Sequence, residues 1–521
     1  MAPSHRQGGD RLSALPDTAL ERVLSHLASD EAVRTSGLAR RWRRVQEGVP
    51  VVHLVDTKTG ERSRRLGELK VCYDHQVTSA IMGKGAETPI RVLRLDAFYP
   101  PYDLLDQWIV TAVNSGVEDL DVELRYRESG LGGRLCPFTP GLYGRKNSAD
   151  FDKSDRNRYT QTQRHIFGCP TLRRLRLVGW RLDMPENLAM TMASLETLCL
   201  ARIMDPRGEL QRLISSCPRL ASLTLEQCPS IIEITVASPC LRSFAMICCH
   251  HATGVDLQTT CLESLHYKGG LPPRGSSFIT VANYDGVKAV RIEICEKLSS
   301  KAPDDIAPVT TLIRSCKKNL KYLHLSLRPS MAYYSSLFTS LVRSLDSLTH
   351  LSLQGCLPTQ DAVRSVSALL VDAKNLKVLS LFPLGPEPPK NKSRRMYRDQ
   401  DDDKSDSDSE PEEGPAVSDG VQYRMPKTLW KVQVRCLAYK MRRIYIANYK
   451  GRPLEKMLAR FLLSRAAVLE EFTVTLADGV HAQQDEEVTA TPADGVRPQK
   501  DEIAKELISW RCNRRTRVTC N

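Results

Sequence analysis

Apolar residues recur at first, fourth and sixth places over most of the chain after Val51. The triplets Ile90-Leu93-Leu95, Val117-Leu120-Val122, Leu172-Leu175-Leu177, Leu195-Leu198-Leu200, Leu220-Leu223-Leu225, Leu241-Phe244-Met246 and Leu262-Leu265-Tyr267 obey this rule. So do Val287-Val290-Ile292, Leu320-Leu323-Leu325, Leu348-Leu351-Leu353 and Leu376-Leu379-Leu381. From Leu172 to Leu262 the first places stand 23, 25, 21 and 21 residues apart. The fourth and sixth places alternate along one face of a short strand, and a return segment must bring the chain back to begin the next. A single unit cannot bury that face, so the pattern demands stacking. Residues 209–214 and 311–314 predict helical returns, each running into a cysteine before the next strand.

This period is the signature of leucine-rich repeats. The fold class it predicts is α/β, a solenoid of parallel strands with helical or irregular returns over residues 51–383. Cys228, Cys249, Cys295 and Cys356 each stand three residues beyond a sixth place, where the repeat consensus takes Asn or Cys at the turn after the strand. Cys169, Cys217 and Cys316 end the preceding return segments. That register assigns the thiols to turns and argues against a metal at Cys248-Cys249-His250-His251, whose adjacent pairs lack chelating spacing. Neither metal nor cofactor is expected. The step of 55 residues from Val117 to Leu172, rich in Gly, Arg and Asp over 128–164, predicts a loop insertion. Gly83-Lys84-Gly85 is too short a match to define a phosphate loop.

Ahead of the repeats, residues 10–50 hold three short helical signals. Leu20, Val23, Leu24 and Leu27 fall at i, i+3, i+4 and i+7, one stripe of a helix introduced by Pro16. Ser29 and Asp30 can cap a second helix with Ala32, Val33 and Ser36 inward, Gly37 offers a break, and Leu38 to Val45 starts a third anchored by Trp42. So short a segment buries little apolar surface, and its leucines and tryptophan ask for a second chain to cover them.

Leu15-Pro16-Asp17, the leucine stripe, Asp30-Glu31-Ala32-Val33-Arg34-Thr35-Ser36 and Arg40-Arg41-Trp42-Arg43 together resemble the F-box of plant F-box proteins. The resemblance implies docking to a Skp-type adaptor, which joins a cullin in an SCF-type ubiquitin ligase. It makes Leu15, Pro16, Leu20, Leu24, Leu27, Val33 and Trp42 the adaptor contacts.

The leucine period stops at Leu384. Proline, serine and charge fill 384–424, with nine acids and one lysine between Asp399 and Glu413, a composition that predicts a disordered acidic linker. Ser405, Ser407 and Ser409 alternate with acidic residues there, and Lys390 to Arg395 offers an import-like basic run. From 425 to 476 the pattern reads strand, helix, strand: Ile444 and Ile446, then Leu454, Leu458, Phe461 and Leu462, then Phe472, Val474 and Leu476. This stretch also resembles the FBD region that follows the repeats in plant F-box proteins, through Cys436-Leu437, the Ile444 and Ile446 strand, Tyr449 to Gly451, Glu455, and Ala467, Leu469 and Glu470. Residues 1–9 read as a disordered tail and 477–521 as a polar tail.

Composition narrows the function classes. The chain has 521 residues and a formal charge of +13, yet residues 10–47 carry only +1, so the excess lies downstream. No run of eighteen apolar residues and no secretory leader occurs, which predicts a nuclear or cytoplasmic chain with reduced cysteines and no membrane span. No H-E-x-x-H, G-x-S-x-G, Walker loop or spaced C-x-x-C pair is found, so no catalytic residue is expected. The expected function is a non-catalytic substrate receptor, adaptor at the N-terminus and a protein substrate on the repeats. The competing reading is a basic repeat scaffold for nucleic acid or an acidic protein; nucleic acid is disfavoured, because no basic run is interleaved with aromatics.

Overall fold

The computed structural model describes residues 14–35, 37, 39–56, 73–84, 88–126, 159–186, 192–271, 278–297, 306–330, 335–356, 360–384, 434–477 and 496–521. The chain forms two units, Met1–Glu296 and Lys297–Asn521.

In the first unit, helices α1 (Asp17–Leu24), α2 (Ser29–Thr35) and α3 (Arg40–Gly48) precede strands β1 (Val51–Val55), β2 (Val92–Phe98) and β3 (Asp119–Arg125). There follow β4 (Arg174–Val178), β5 (Thr197–Ala201), β6 (Ser222–Glu226), β7 (Glu233–Val236), β8 (Ser243–Ile247), β9 (Gly254–Leu257), β10 (Ser264–Gly269), β11 (Ile279–Val281) and β12 (Ala289–Lys297). The main sheet runs β1-β2-β3-β4-β5-β6-β8-β10-β12 with every pairing parallel. Its register aligns the fourth places: Leu93, Leu120, Leu175, Leu198, Leu223, Phe244, Leu265 and Val290 stand opposite one another in turn. All are buried. Each such side chain contributes about 1.5–3 kcal/mol on leaving water, so the ladder is the spine of this core.

Sequence reading overlooked β1. Val49, Val52 and Leu54 satisfy the same first, fourth and sixth rule, and all three are buried. The signal is hidden because its first place abuts the end of α3.

Return segments differ from repeat to repeat. The helices Tyr73–Met82, Tyr102–Asn114 and Leu210–Ser215 close some turns, whereas the 21-residue steps close with β7 and β9. These two and β11 form a second parallel sheet in the order β11-β9-β7.

In four successive repeats the residue two places past the sixth position takes positive φ: Gly179 at 78°, Arg202 at 52°, Gln227 at 52° and Cys248 at 54°. The N–H of each donates to the neighbouring repeat, to Ala201, Glu226, Ile247 and Lys268 carbonyls respectively. The consensus cysteines sit just beyond. Cys228 points its thiol to the Leu200 carbonyl at 3.5 Å and Cys249 to the Leu225 carbonyl at 3.7 Å. Burial of such thiols pushes Cys217 and Cys316 up, to about 11 and about 12.

The second unit holds β13 (Tyr322–Ser330), β14 (His350–Cys356), β15 (Val378–Leu384), β16 (Arg443–Tyr449), β17 (Glu471–Leu476) and β18 (Arg517–Cys520). The pairings from β13 to β18 are parallel, and Leu323, Leu351, Leu379, Ile444, Phe472 and Val518 are in register. First places step by 28 residues from Leu320 to Leu348 to Leu376, long enough for the returning helices Ser335–Arg343 and Gln360–Asp372. The FBD-like stretch continues the same ladder through β16 and β17, with the helix Pro453–Arg465 between them.

Three expectations need correction or confinement. The polar tail assigned to 477–521 includes a helix, Val496–Trp510, and β18, which extends the sheet beside β17. Among the described side chains Ile503 and Leu507 anchor that helix, too few for a periodic signal, and Thr516 fixes the final turn by donating its hydroxyl to the Leu469 carbonyl at 2.8 Å. The loop insertion of 128–164 ends in ordered chain: Tyr159 is buried against Tyr126, whose hydroxyl accepts the Thr160 N–H at 3.1 Å. Residues 127–158 and 385–433 lie outside the described residues, and with them the acidic linker and its serines.

Candidate docking surface

Helix α1 starts at Asp17, with Pro16 as its N-cap in extended conformation. Leu20 and Leu24 point inward and meet Ala32 of α2, Val45 of α3 and Val49 in one core, with Leu15, Leu27, Trp42 and Val51 packed partly against it. Helix α1 packs on α3, and α2 on both α3 and β1. The backbone N–H of His53 in β1 donates to Ser29 Oγ at 2.8 Å. The three helices are therefore seated on the first repeat, which supplies the cover that so short a segment lacks alone.

This corrects the expected contact set. Leu20 is 0% exposed and Leu24 2%, so neither offers surface to another chain; they build the module. Val33 is 49% exposed, Pro16 is exposed, and Leu15, Leu27 and Trp42 are half-buried. Val23, on the sequence stripe but not among the expected contacts, is 46% exposed.

Two cations that sequence reading gave no role hold the frame. Arg41 binds the Asp17 carboxylate through Nη2 at 2.6 Å and through Nε at 2.7 Å, and donates to the Leu15 carbonyl, tying the Leu-Pro-Asp turn to α3. Lys84 donates to the carbonyls of Gln46, Glu47 and Val49 at 3.4, 3.2 and 2.7 Å, so its ammonium closes the carboxyl end of α3. Burial draws its pKa below the ordinary lysine value, against the opposing pull of Glu47. Lys84→Met should cost this helix end about 1–2 kcal/mol. Amide exchange at residues 46–49 reads the loss; unchanged rates would show the cap to be idle.

The outward face of the sheets is the other candidate surface. In the first unit it carries ion pairs: Arg94 with Asp119 at 2.9 Å, Arg125 with Asp96 at 2.5 Å, and Arg202 with Glu123 at 2.9 Å. Arg176 reaches Asp121 at 2.7 Å and Glu123 at 3.0 Å, and these carboxylates raise its pKa although burial works against it. Farther along, His266, Arg291 and Lys268 converge on Glu293. Burial opposes its ionisation, yet their hydrogen bonds and charges hold its carboxyl down at about 2. In the second unit the same face is aromatic. His324 lies 6.3 Å from Phe382, and Phe382 lies 5.7 Å from Tyr445, ring centre to ring centre.

A parallel ladder in the L-x-x-L-x-L register, preceded by a three-helix module, defines a leucine-rich-repeat protein. In sequence it resembles plant F-box proteins with leucine-rich repeats and a C-terminal FBD-like region. The family model described as the LRR repeats of FBD-associated F-box protein At5g56370 matches residues 149–302. Among Arabidopsis thaliana relatives, F-box/LRR-repeat protein 13 is 28% identical over 313 residues, 59% of this chain and 62% of that protein. F-box/LRR-repeat protein At5g35995 is 25% identical, over 71% of this chain and 74% of the relative. A protein named as FBD-associated F-box protein At5g56440 is 23% identical over 480 residues, 89% of this chain and 92% of its own. The chain thus spans less than two thirds of the first of these and nearly all of the last.

Proposed function

We propose that the chain is the non-catalytic substrate receptor of an SCF-type ubiquitin ligase, in the nucleus or cytoplasm. The α1–α3 module binds a Skp-type adaptor and through it a cullin, and the repeats hold the protein to be ubiquitinated. The observation that carries this reading is the ordered F-box-like motif on a module whose Leu20 and Leu24 are satisfied internally while Val23 and Val33 are exposed and Leu15, Leu27 and Trp42 are half-buried. These side chains are the contacts we assign, with Pro16 setting the turn that presents Leu15. The outward sheet faces are the surface we assign to the substrate. In the first unit paired charges there favour a partner with its own mixed charge over a polyanion.

Val33→Asp in the full chain puts a charge where an apolar contact is required and leaves the core untouched. Affinity for a purified Skp-type adaptor should fall at least about tenfold, a loss of ~1.4 kcal/mol, with circular dichroism unchanged. Unaltered affinity would remove Val33 from the interface, and an intact chain that binds no adaptor would end the receptor reading.

A further inference from the structure

The repeat turns bring together three donors that sequence spacing keeps apart. Cys248 and His250 follow β8, Cys295 lies in β12, and β10 runs between those strands. The Cys248 and Cys295 sulfurs are 3.9 Å apart, and one ligand atom from each of Cys248, His250 and Cys295 lies within 4.8 Å of the others. Cys248 is buried; Cys295 and His250 are partly so.

Local geometry sorts the adjacent thiols. Cys248 occupies the positive-φ position of its repeat, its N–H donating to the Lys268 carbonyl, and its sulfur meets Cys295. Cys249, one residue on, points to the Leu225 and Ile247 carbonyls and belongs to the repeat interior. His251 is directed elsewhere, its Nδ1 3.0 Å from the Pro229 carbonyl. The nearby carboxylate of Glu293 is engaged by Arg291, His266 and Lys268. What converges is two sulfurs and one imidazole.

We propose that Cys248, Cys295 and His250 form a zinc site that clasps the turn after β8 to strand β12, with the fourth position taken by water. Two thiolates on one tetrahedral zinc, each at about 2.3 Å, stand about 3.8 Å apart. The sulfur separation here already matches that edge, and it is well beyond the ~2.05 Å of a disulfide bond. Thiolate with imidazole is a donor set suited to zinc, whereas magnesium and calcium take oxygen ligands. Binding requires both thiols to release their protons to solvent and the imidazole to be neutral, with no change of oxidation state. The adjacent Cys-Cys and His-His pairs lack chelating spacing by themselves; the third donor comes from Cys295, 45 positions away from His250.

The test uses the reduced full-length chain, loaded with zinc, dialysed against metal-free buffer and assayed for zinc by elemental analysis. One zinc per chain should survive, and Cys295→Ser and Cys248→Ser should each lose it. His250→Ala, at a partly exposed turn, should weaken zinc affinity about tenfold or more with circular dichroism unchanged, which keeps the test valid if a cysteine variant folds poorly. Cobalt(II) in place of zinc should show thiolate-to-cobalt charge-transfer absorption that Cys295→Ser diminishes. The proposal is overturned if the wild type retains no zinc, or if all three variants retain as much as the wild type.

Discussion

Leu24→Ala should loosen the N-terminal module before it disturbs the repeats, at a cost of about 2–5 kcal/mol. Leu24 is 2% exposed and shares its core with Leu20, Ala32, Val45 and Val49, so truncation leaves a cavity that three short helices cannot refill. Amide exchange over residues 17–48 should accelerate while the ladder from β3 to β8 keeps its protection. Adaptor affinity should fall with it, since the exposed contacts ride on those helices. Val33→Asp should behave differently, lowering affinity with no change in exchange of the free chain. If Leu24→Ala leaves exchange over 17–48 unaltered, the core described for this module is wrong.

The second large effect belongs to the backbone. Gly179→Ala should destabilise the first unit by about 2 kcal/mol or more, the sum of a left-handed residue and a displaced neighbour. Gly179 has φ of 78°, and a Cβ added there would sit 2.6 Å from the Leu124 carbonyl oxygen. Arg202, Gln227 and Cys248 take the same conformation in the following repeats, so positive φ alone is tolerated; the close carbonyl is what singles out Gly179. Next to it Trp180 is fully buried and donates its indole N–H to the Val122 carbonyl at 3.0 Å, so any shift of the turn propagates into the core. A denaturant titration checks the cost. A midpoint equal to that of the wild type would mean that the Leu124 carbonyl moves aside freely.

The repeat register was legible because fourth and sixth places are set by a strand period of two, which stacking reinforces in every unit. The same rule covers Val49-Val52-Leu54 and Met441-Ile444-Ile446, where flanking helices obscure it. Return segments were less readable: a 21-residue step with polar composition does not distinguish a strand from an irregular loop, and β7, β9 and β11 emerge only from lateral pairing. In the three-helix module, helical periodicity places Leu20 and Leu24 on one stripe, but the expectation that a second chain covers them goes beyond what a period can say, since it does not tell an internal cover from an external one. Burial answers that the chain covers it itself, and that the surface consists of Val23, Val33 and the half-buried Leu15, Leu27 and Trp42. Arg41 and Lys84 were invisible as frame residues, since their partners are a carboxylate 24 positions away and carbonyls 35 to 38 positions away. For the same reason Cys295 could not be joined to Cys248 and His250 from spacing.

The most direct measurement is the hydrogen-exchange footprint of a purified Skp-type adaptor on the full-length chain. Binding should add protection within residues 14–48, centred on the segments that carry Val23, Val33 and Trp42, and none along the outward strands from β3 to β10. Protection that falls on the repeats while residues 14–48 exchange as in the free chain would contradict the assignment of the three-helix module as the adaptor-docking element.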